Sequence, residues 1–244
     1  MHIYDTIIIG SGYMSAGFSV TKGNCIICER TELCDAHFGA SLCCNKISDY
    51  RPETVEGNRL YKIFDSMKLI KDGFVNINAS ECALSEYIIE KELEVLLKCR
   101  VIDIASENGI FSVTVITNSG IDKIYAKKVM DFSCEGKDYL TVQFISNDIE
   151  NDITLLENEF GKISYEKTFY ENRYALFVPS QGLDINTLKL DIYEKWHESG
   201  TKAKILHTPS AMFSKKSGKV CDDMFDNFFE AFEYGIKEAE KICH

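Results

Sequence analysis

The strongest hydrophobic pattern in the chain is a short apolar run near its start that ends at a glycine-rich turn. Residues 4–9 read Tyr-Asp-Thr-Ile-Ile-Ile, and such β-branched runs are typical of central parallel strands, which are buried on both faces. A helical segment follows and ends near the turn signal Lys22-Gly23-Asn24, and a second apolar run covers residues 25–28. The pattern predicts a strand–helix–strand unit.

Further along the chain, the pattern predicts one helix followed by a β-meander. The helix is expected over about residues 80–92, with Asn78 and Glu81 as a capping box at its start. Three strand-like segments follow it, at residues 94–105, 110–117 and 121–132. Because the turn Asn118-Ser119-Gly120 separates the last two segments, we expect them to form neighbouring strands.

Two more helices are expected in the second half of the chain, one near residues 184–199 and one at the C-terminal end. The apolar positions of the last helix recur at helical spacing, at Phe225, Phe228, Phe229, Phe232, Ile236, Ala239, Ile242 and Cys243. Asp226 is the expected N-cap of this helix, and its four phenylalanines are expected to be buried.

Composition places the chain among ordinary globular proteins. It has 244 residues, of which 45% are apolar and 27% are charged, so one large domain or two small ones are expected. Acidic residues outnumber basic ones by 38 to 27, and the net charge of -11 argues against nucleic-acid binding. No apolar run is long enough for a membrane span, and the start lacks the pattern of a signal peptide. We therefore expect a cytoplasmic protein.

The ten cysteines are expected to be reduced thiols, since a cytosolic chain of this size needs no disulfide framework. Cys25 and Cys28 form a C-x-x-C motif, but they lie in a strand-like run and are expected to act as small buried apolar residues. The spacing of Cys34, Cys43 and Cys44 matches neither a ferredoxin nor a zinc-knuckle pattern. The sequence therefore predicts no metal site.

The turn after the first apolar run has the features of a dinucleotide-binding motif. Gly10 permits a tight turn, and Gly12 lets a pyrophosphate approach the backbone where the helix begins. Ser15 replaces the usual third glycine and is small enough for close helix–strand packing. Glu29 ends the second run 19 residues after Gly10, near the spacing of about 20 expected for the acid that binds a ribose hydroxyl. The pattern fits NAD and FAD alike, whereas Glu29 would repel the 2′-phosphate of NADP.

Two later segments match the same kind of protein. Residues 131–136 read Asp-Phe-Ser-Cys-Glu-Gly, similar to a DATG-like motif with Phe132 and Ser133 in place of Ala-Thr. Residues 226–239 are an acidic turn followed by a helix, with Asn227 where proline is usual. With the N-terminal motif, these segments make the chain resemble small FAD-dependent oxidoreductases of the glutathione-reductase-like FAD fold.

This resemblance implies an α/β fold with a Rossmann-type parallel sheet, a β-meander and a reduced substrate-side cap. The FAD-binding domain would be discontinuous, over residues 1–45, 78–138 and 207–244, and the cap would comprise residues 46–77 and 139–206. The C-terminal helix would return to pack beside the first strand and helix, with its first turn near the flavin. The chain has no second G-x-G-x-x-G motif, so a second dinucleotide domain is not expected.

The resemblance also implies contacts with the cofactor. The backbone of Val101 would meet the adenine, and the loop at residues 35–41 would approach the pyrophosphate and the flavin. The expected FAD-binding residues are Gly10, Gly12, Tyr13, Met14, Ser15, Glu29, Arg30, Ser41, Val101, Ser133, Asp226 and Asn227. Catalytic residues stay unassigned, and the candidates are His37, His197, His207 and the vicinal pair Cys43–Cys44.

These features predict an FAD-dependent oxidoreductase of minimal size that acts on a small-molecule substrate or with a redox partner protein. Two alternatives stay open. One is a flavin-binding or electron-transfer subunit without catalysis of its own, which the altered motif at residues 131–136 favours. The other is an NAD-binding Rossmann protein. Because the isoalloxazine ring itself carries the electrons in flavoenzymes, the lack of an evident acid–base pair does not argue against catalysis.

Overall fold

The computed structural model describes residues 2–35, 37–44, 46–47, 50–133, 136–214 and 225–242. The strands are β1 (Ile3–Ile9), β2 (Cys25–Cys28), β3 (Ile70–Lys71), β4 (Phe74–Val75), β5 (Glu94–Leu96), β6 (Arg100–Glu107), β7 (Ile110–Thr117), β8 (Gly120–Asp131), β9 (Tyr139–Ile145), β10 (Ser164–Lys167), β11 (Arg173–Pro179) and β12 (Lys204–His207). The helices are α1 (Tyr13–Lys22), α2 (Phe38–Ser41), α3 (Val55–Ser66), α4 (Ser80–Glu90), α5 (Ile149–Phe160), α6 (Ile185–Glu198) and α7 (Phe228–Ile242).

The main sheet has six strands in the order β5-β2-β1-β8-β7-β6. The pairs β5–β2, β2–β1 and β1–β8 are parallel, whereas β8, β7 and β6 form an antiparallel meander. The fold is therefore mixed α/β with a sheet that contains parallel strands. The strand–helix–strand prediction for the first thirty residues is confirmed, as are the helix that begins at Ser80 and the meander strands β7 and β8.

The single strand-like segment expected over residues 94–105 is wrong, because β5 and β6 are separate strands. Lys98 has a left-handed backbone with φ of 53°, which a continuous strand cannot contain. Its N–H donates to the carbonyl of Thr31, and the N–H of Cys99 donates to the carbonyl of Glu29. The chain thus forms β5 at the parallel edge of the sheet and then β6 at the opposite edge, where the meander lies.

Helices α1 and α7 cross at very close range, which confirms that the C-terminal helix returns to the first one. A Cβ atom added to Gly17 would lie 2.0 Å from the carbonyl oxygen of Phe232, and one added to Gly235 would lie 2.1 Å from that of Met14. Only glycine lets two backbones approach this closely. Phe228, Phe229 and Phe232 are fully buried, whereas Phe225 is only partly buried.

The expected helix caps differ from the observed ones. At the start of α7, the N–H of Glu230 donates to Oδ1 of Asn227 at 3.0 Å, so Asn227 is the capping residue rather than the exposed Asp226. At α4 the capping box is absent. Asn78 donates to the side chain of Gln143, and Glu81 accepts hydrogen bonds from the N–H groups of Cys34 and Asp35 instead. Asn78 and Glu81 thus bind residues that are distant in the sequence, and local spacing cannot reveal such contacts.

A second, antiparallel sheet has the strand order β10-β11-β9-β12. It forms its own core with α5 and α6, in which Phe144 contacts Trp196 with ring centroids 5.3 Å apart. The helix expected near residues 184–199 is confirmed as α6, with Asp184 as its N-cap. Helix α3, by contrast, buries Leu60, Ile63 and Phe64 in the same core as α1 and α7. Of the helices in the described ranges, none is long and apolar enough to cross a bilayer.

Candidate functional site

The turn between β1 and α1 is held by backbone proximity and by one serine side chain. Gly10 has φ of 91°, and a Cβ atom there would lie 2.5 Å from the Cα atom of Ser133, so the turn requires glycine for its conformation and for its contact. Ser15 donates from Oγ to the carbonyl of Gly10 at 2.6 Å. The serine at the third-glycine position therefore gives the buried carbonyl of the turn a hydrogen-bond partner.

The carboxylate of Glu29 connects two turns. Oε2 accepts a hydrogen bond from the N–H of Ser11 at 2.8 Å, and Oε1 accepts one from the N–H of Thr31 at 2.7 Å. The residue is only 3% exposed, and each carboxylate oxygen can accept more than one hydrogen bond. Glu29 can thus fix the glycine turn and still accept hydrogen bonds from a ligand.

A cavity of about 750 Å³ opens beside the glycine turn, at the carboxyl ends of β1 and β2. Its lining residues come from the ends of β1, β2 and β8, from the start of β6 and from the loop after β2. They are Ile9, Gly10, Ser11, Ser15, Cys28, Glu29, Arg30, Thr31, His37, Cys99, Arg100, Val101, Phe132 and Ser133. The structure therefore brings six of the residues expected from the sequence into one cavity wall: Gly10, Ser15, Glu29, Arg30, Val101 and Ser133.

The other six expected residues lie elsewhere. Tyr13 and Met14 are fully buried in the first turn of α1, and Ser41 is buried in α2, where its Oγ donates to the carbonyl of His37. Gly12 precedes α1 in an extended conformation, and Asp226 and Asn227 precede α7. Tyr13 stacks on Phe228 with ring centroids 4.8 Å apart, so the first turns of α1 and α7 are in direct contact.

Sequence reasoning missed several cavity residues. Ser11 lies inside the glycine motif and could have been included on that ground, since its Oγ also donates to the carbonyl of Cys34. Arg100 precedes Val101 directly, and a basic residue beside the expected adenine contact is a signal for anion contacts. Cys99 and Thr31 carry no such signal. The N–H of Cys99 donates to the backbone carbonyl of Glu29, and the N–H of Thr31 donates to the Glu29 carboxylate.

The charge of the cavity wall is opposite to that of the chain. Among the described residues that line it, Arg30 and Arg100 are cationic and Glu29 is the acid, although the chain carries a net charge of -11. An anionic ligand such as a pyrophosphate would therefore meet a locally favourable potential.

A second cavity of about 720 Å³ lies between the main sheet and the second sheet. It shares Arg30, Thr31 and His37 with the first cavity and is lined in addition by Glu32, Leu33, Ala40, Lys98, Gly136, Lys137, Ile185, Ser210, Ala211 and Met212. His37 is buried at the junction of the two cavities, and its Nε2 lies 3.7 Å from Sγ of Cys43.

The remaining candidates are outside both cavity walls. His197 lies in α6, and burial followed by the charge of Lys189 lowers the pKa of His207 in β12. Burial raises the pKa of the Cys44 thiol well above its usual range, which disfavours its thiolate. Within the described ranges, no three His, Cys, Asp or Glu side chains are grouped so that they could hold a metal ion. Cys134 and Glu135 of the 131–136 motif lie outside the described residues.

No protein-family model matches the chain, and no curated protein matches it in sequence. Solved structures do resemble it. A p-nitrophenol 4-monooxygenase from Pseudomonas putida has a TM-score of 0.53 at 9% identity, over 84% of this chain and 66% of that one. CabE, an aromatic hydroxylase from angucycline biosynthesis, has a TM-score of 0.55 at 9% identity, and the match covers 99% of this chain and 63% of that one. A flavoprotein/dehydrogenase from Cytophaga hutchinsonii has a TM-score of 0.55 at 12% identity, and the match covers 98% of this chain and 77% of that one.

The chain thus spans less than two thirds of the first two of these proteins. At 9–12% identity, the likeness concerns the fold alone. This chain is similar in fold to a monooxygenase, an aromatic hydroxylase and a flavoprotein/dehydrogenase.

Proposed function

We propose that the chain is an FAD-binding oxidoreductase with a glutathione-reductase-like FAD fold, acting on a small molecule through the flavin. The observation that carries the proposal is the first cavity, which joins the β1–α1 glycine turn to the acid at the end of β2. Ligands of open parallel sheets bind outside the carboxyl ends of the strands, at this kind of crevice. FAD is favoured over NAD because one solved structure of similar fold is a flavoprotein/dehydrogenase.

The described residues fit the groups that FAD carries. The cavity of about 750 Å³ lies within the range of roughly 300–1,000 Å³ usual for ligand pockets. Glu29 would accept hydrogen bonds from the ribose hydroxyls, and the backbone at Val101 would meet the adenine. The N-terminus of α1, where Ser11 and Ser15 line the cavity, would face the pyrophosphate, since helix N-termini attract anions.

Two arginines would add specificity at the nucleotide end. Arg30 directly follows Glu29, Arg100 directly precedes Val101, and both arginines line the cavity. Guanidinium groups bind phosphate oxygens in paired hydrogen bonds. When bound, FAD supplies a two-electron redox centre, while the protein orients it and excludes water.

We assign the substrate to the side of the second sheet. The second cavity lies there and shares His37 with the first. His37 could hold or move a proton at Nε2, because a ring nitrogen of imidazole can either donate or accept a hydrogen bond. Two of the structures with a similar fold are a monooxygenase and an aromatic hydroxylase, so a small aromatic compound is the first substrate class to test.

A flavin-binding subunit without its own turnover is the second candidate. Phe132 replaces a small residue of the family motif, lines the first cavity and packs on Phe18 with ring centroids 5.7 Å apart. A bulky ring at that position narrows the space beside the cofactor, which favours binding or electron transfer over access of a substrate.

Cofactor identity and turnover can be tested in sequence. The purified chain should show flavin absorbance bands, and mass spectrometry of the ligand released by heat should identify FAD. Protein that releases NAD, or that cannot be loaded with added FAD, would overturn the proposal. Oxidation of a reductant that depends on an added aromatic compound would separate the enzyme from the binding subunit, which should load FAD without turnover.

A further inference from the structure

Two cysteine side chains meet in the wall of the first cavity. Cys28 ends β2, and Cys99 immediately precedes β6. They are brought together because the N–H of Cys99 donates to the carbonyl of Glu29, the residue after Cys28, at 2.8 Å. The two side chains belong to one apolar cluster. Both residues are 1% exposed and both line the cavity, so only a molecule inside the cavity can reach them.

This pair is different from the C-x-x-C motif of the sequence. Residues three apart in a strand point to opposite faces, and Cys25 indeed lies in the core that contains α1 and α7, with its thiol donating to the carbonyl of Gly23. Cys28 lies on the other face, in an apolar cluster with Cys99. The partner of Cys28 is thus 71 positions away in the chain, and spacing alone could not reveal it.

The two thiols are unequal. Interaction with Cys99, followed by burial, raises the pKa of Cys28, whereas interaction with Cys28 lowers the pKa of Cys99. Burial raises the pKa of the Cys25 and Cys34 thiols, by contrast. Because the thiolate is the attacking species in thiol–disulfide exchange, Cys99 is the expected nucleophile and Cys28 the resolving thiol.

We propose that Cys28 and Cys99 form a reversible disulfide that controls nucleotide binding in the first cavity, with a small-molecule disulfide such as oxidised glutathione as the oxidant. The Cys99 thiolate attacks one sulfur of oxidised glutathione, the S–S bond breaks, and one glutathione thiolate leaves. Cys28 then loses its proton and attacks the Cys99 sulfur of the mixed disulfide, which releases the second glutathione thiolate. The protein dithiol is oxidised, the oxidant is reduced to two thiols, and the two protons of the dithiol end on them.

The cavity suits this oxidant. Its volume of about 750 Å³ is in the range that holds a ligand of drug size. Arg30 and Arg100 line it, and glutathione carries carboxylates that guanidinium groups bind. A mixed disulfide on Cys99 would therefore be held beside two cations while Cys28 completes the exchange.

The disulfide would act on nucleotide binding through its neighbours. It would join the chain next to Glu29 with the chain next to Arg100 and Val101, which are the proposed ribose and adenine contacts. This part rests on the proposed function. A nucleotide in the cavity would cover both sulfurs, so oxidation and nucleotide binding should oppose each other by the same factor.

The first test concerns the disulfide alone and needs no nucleotide. The full chain is incubated with oxidised glutathione, digested under conditions that prevent exchange, and mapped by mass spectrometry. A peptide that links Cys28 to Cys99, and that disappears on reduction, is expected. Cys25→Ser, which alters the other member of the C-x-x-C motif, should still give the link, whereas Cys99→Ser should not. Absence of the linked peptide in the unaltered chain overturns the proposal.

The second test measures coupling. FAD at saturation should slow formation of the link at least tenfold, and the oxidised chain should bind FAD at least tenfold more weakly than the reduced one. Cys99→Ser should bind FAD equally before and after treatment with oxidised glutathione. A linked chain whose FAD affinity is unchanged refutes the control of binding. If neither form binds FAD while the link still forms, the failure lies in the proposed cofactor and the regulatory half falls with it.

Discussion

At the residue scale, the carboxylate of Glu29 accepts hydrogen bonds from two turns at once, so its loss should act on folding as well as on the proposed cofactor binding. We expect Glu29→Ala to lower the free energy of unfolding by about 1–3 kcal/mol, because two backbone N–H groups lose a charged partner. FAD affinity should fall by a similar free energy, about 1–3 kcal/mol. Urea unfolding and FAD titration measure the two effects separately.

Glu32→Ala is the matched control for Glu29, since the side chain of Glu32 is 71% exposed three positions later. This variant should change neither the free energy of unfolding nor the FAD affinity measurably. A folded Glu29→Ala protein that binds FAD with full affinity would show that the ribose lies elsewhere.

Gly10 combines a left-handed backbone with a close contact, and the two costs can be separated. Gly109 has φ of 77° with open space around it, whereas Gly10 has φ of 91° and Ser133 at 2.5 Å from its absent Cβ. Gly109→Ala should therefore cost only the backbone strain, about 1–3 kcal/mol. Gly10→Ala should cost clearly more, as the end of β8 must also move. Equal midpoints of urea unfolding for the two variants would contradict the close approach.

At the element scale, the crossing of α1 and α7 reverses the usual effect of a helical glycine. In an exposed helix, Gly→Ala stabilises by about 1 kcal/mol. Gly235→Ala should instead lower the free energy of unfolding by about 1–3 kcal/mol or more, which is the usual cost of overpacking. The reason is that the new Cβ would lie 2.1 Å from the carbonyl oxygen of Met14. Gly17→Ala should behave alike. The control, Glu240→Ala, alters an exposed site on the same helix, and a stabilised Gly235→Ala protein would mean that the helices lie further apart.

Glu233 in α7 ties that helix to the start of α3 and should make stability depend on pH. Its carboxylate accepts hydrogen bonds from the hydroxyl of Tyr50 at 2.6 Å and from the N–H groups of Glu53 and Thr54 at 2.7 and 2.6 Å. Burial alone would raise the pKa of Glu233, but hydrogen bonds from Tyr50, Thr54 and Glu53 outweigh it and hold the pKa below its usual range. The charged form is therefore the one that the fold stabilises.

A carboxyl group with a lowered pKa stabilises the fold fully above its ordinary value of about 4.3 and loses this contribution as pH falls through the folded-state pKa. Glu233→Gln should be less stable than the unaltered chain at pH 7 by about 1–3 kcal/mol. The difference should shrink as the medium is acidified below the ordinary pKa. Thermal midpoints across that range measure it, with Glu240→Gln on the same helix as the control; a constant difference would exclude titration of Glu233.

Elements with a strong local signal could be predicted from the sequence. The apolar runs gave β1 and β2, the turn at Asn118-Ser119-Gly120 separated β7 from β8, and Asp184 marked the start of α6. Failures came where a residue serves a distant segment. Glu81 binds the loop after β2 instead of capping α4, and the left-handed Lys98 splits an apolar run.

The same division holds for the candidate site. Gly10 and Glu29 stand out by spacing, and the structure brings both to one cavity. Cys99 could not be foreseen, because its place depends on a backbone hydrogen bond with Glu29 that joins separate parts of the chain. Thr31 could not be foreseen either, because its place depends on a hydrogen bond from its N–H to the Glu29 carboxylate.

At the scale of the whole molecule, the core that α1 and α3 share with α7 cannot form without α7. Phe228, Phe229 and Phe232 are fully buried there, and each contributes about 1.5–3 kcal/mol. Deletion of residues 224–244 should therefore abolish both solubility and flavin retention, whereas deletion of residues 243–244 alone should be mild. Soluble yield and flavin content after purification measure the outcome, and a soluble yellow protein from the long deletion would contradict the role of α7.

Ribosomes finish α1 long before they begin α7. At about 5–20 residues per second, the interval between Gly17 and its contact Phe232 is roughly 10–40 s. Throughout that time the surface of α1 that faces α7 is uncovered, and a chaperone can bind it. The packing of α1 against α7 therefore forms only after α7 itself has been synthesised.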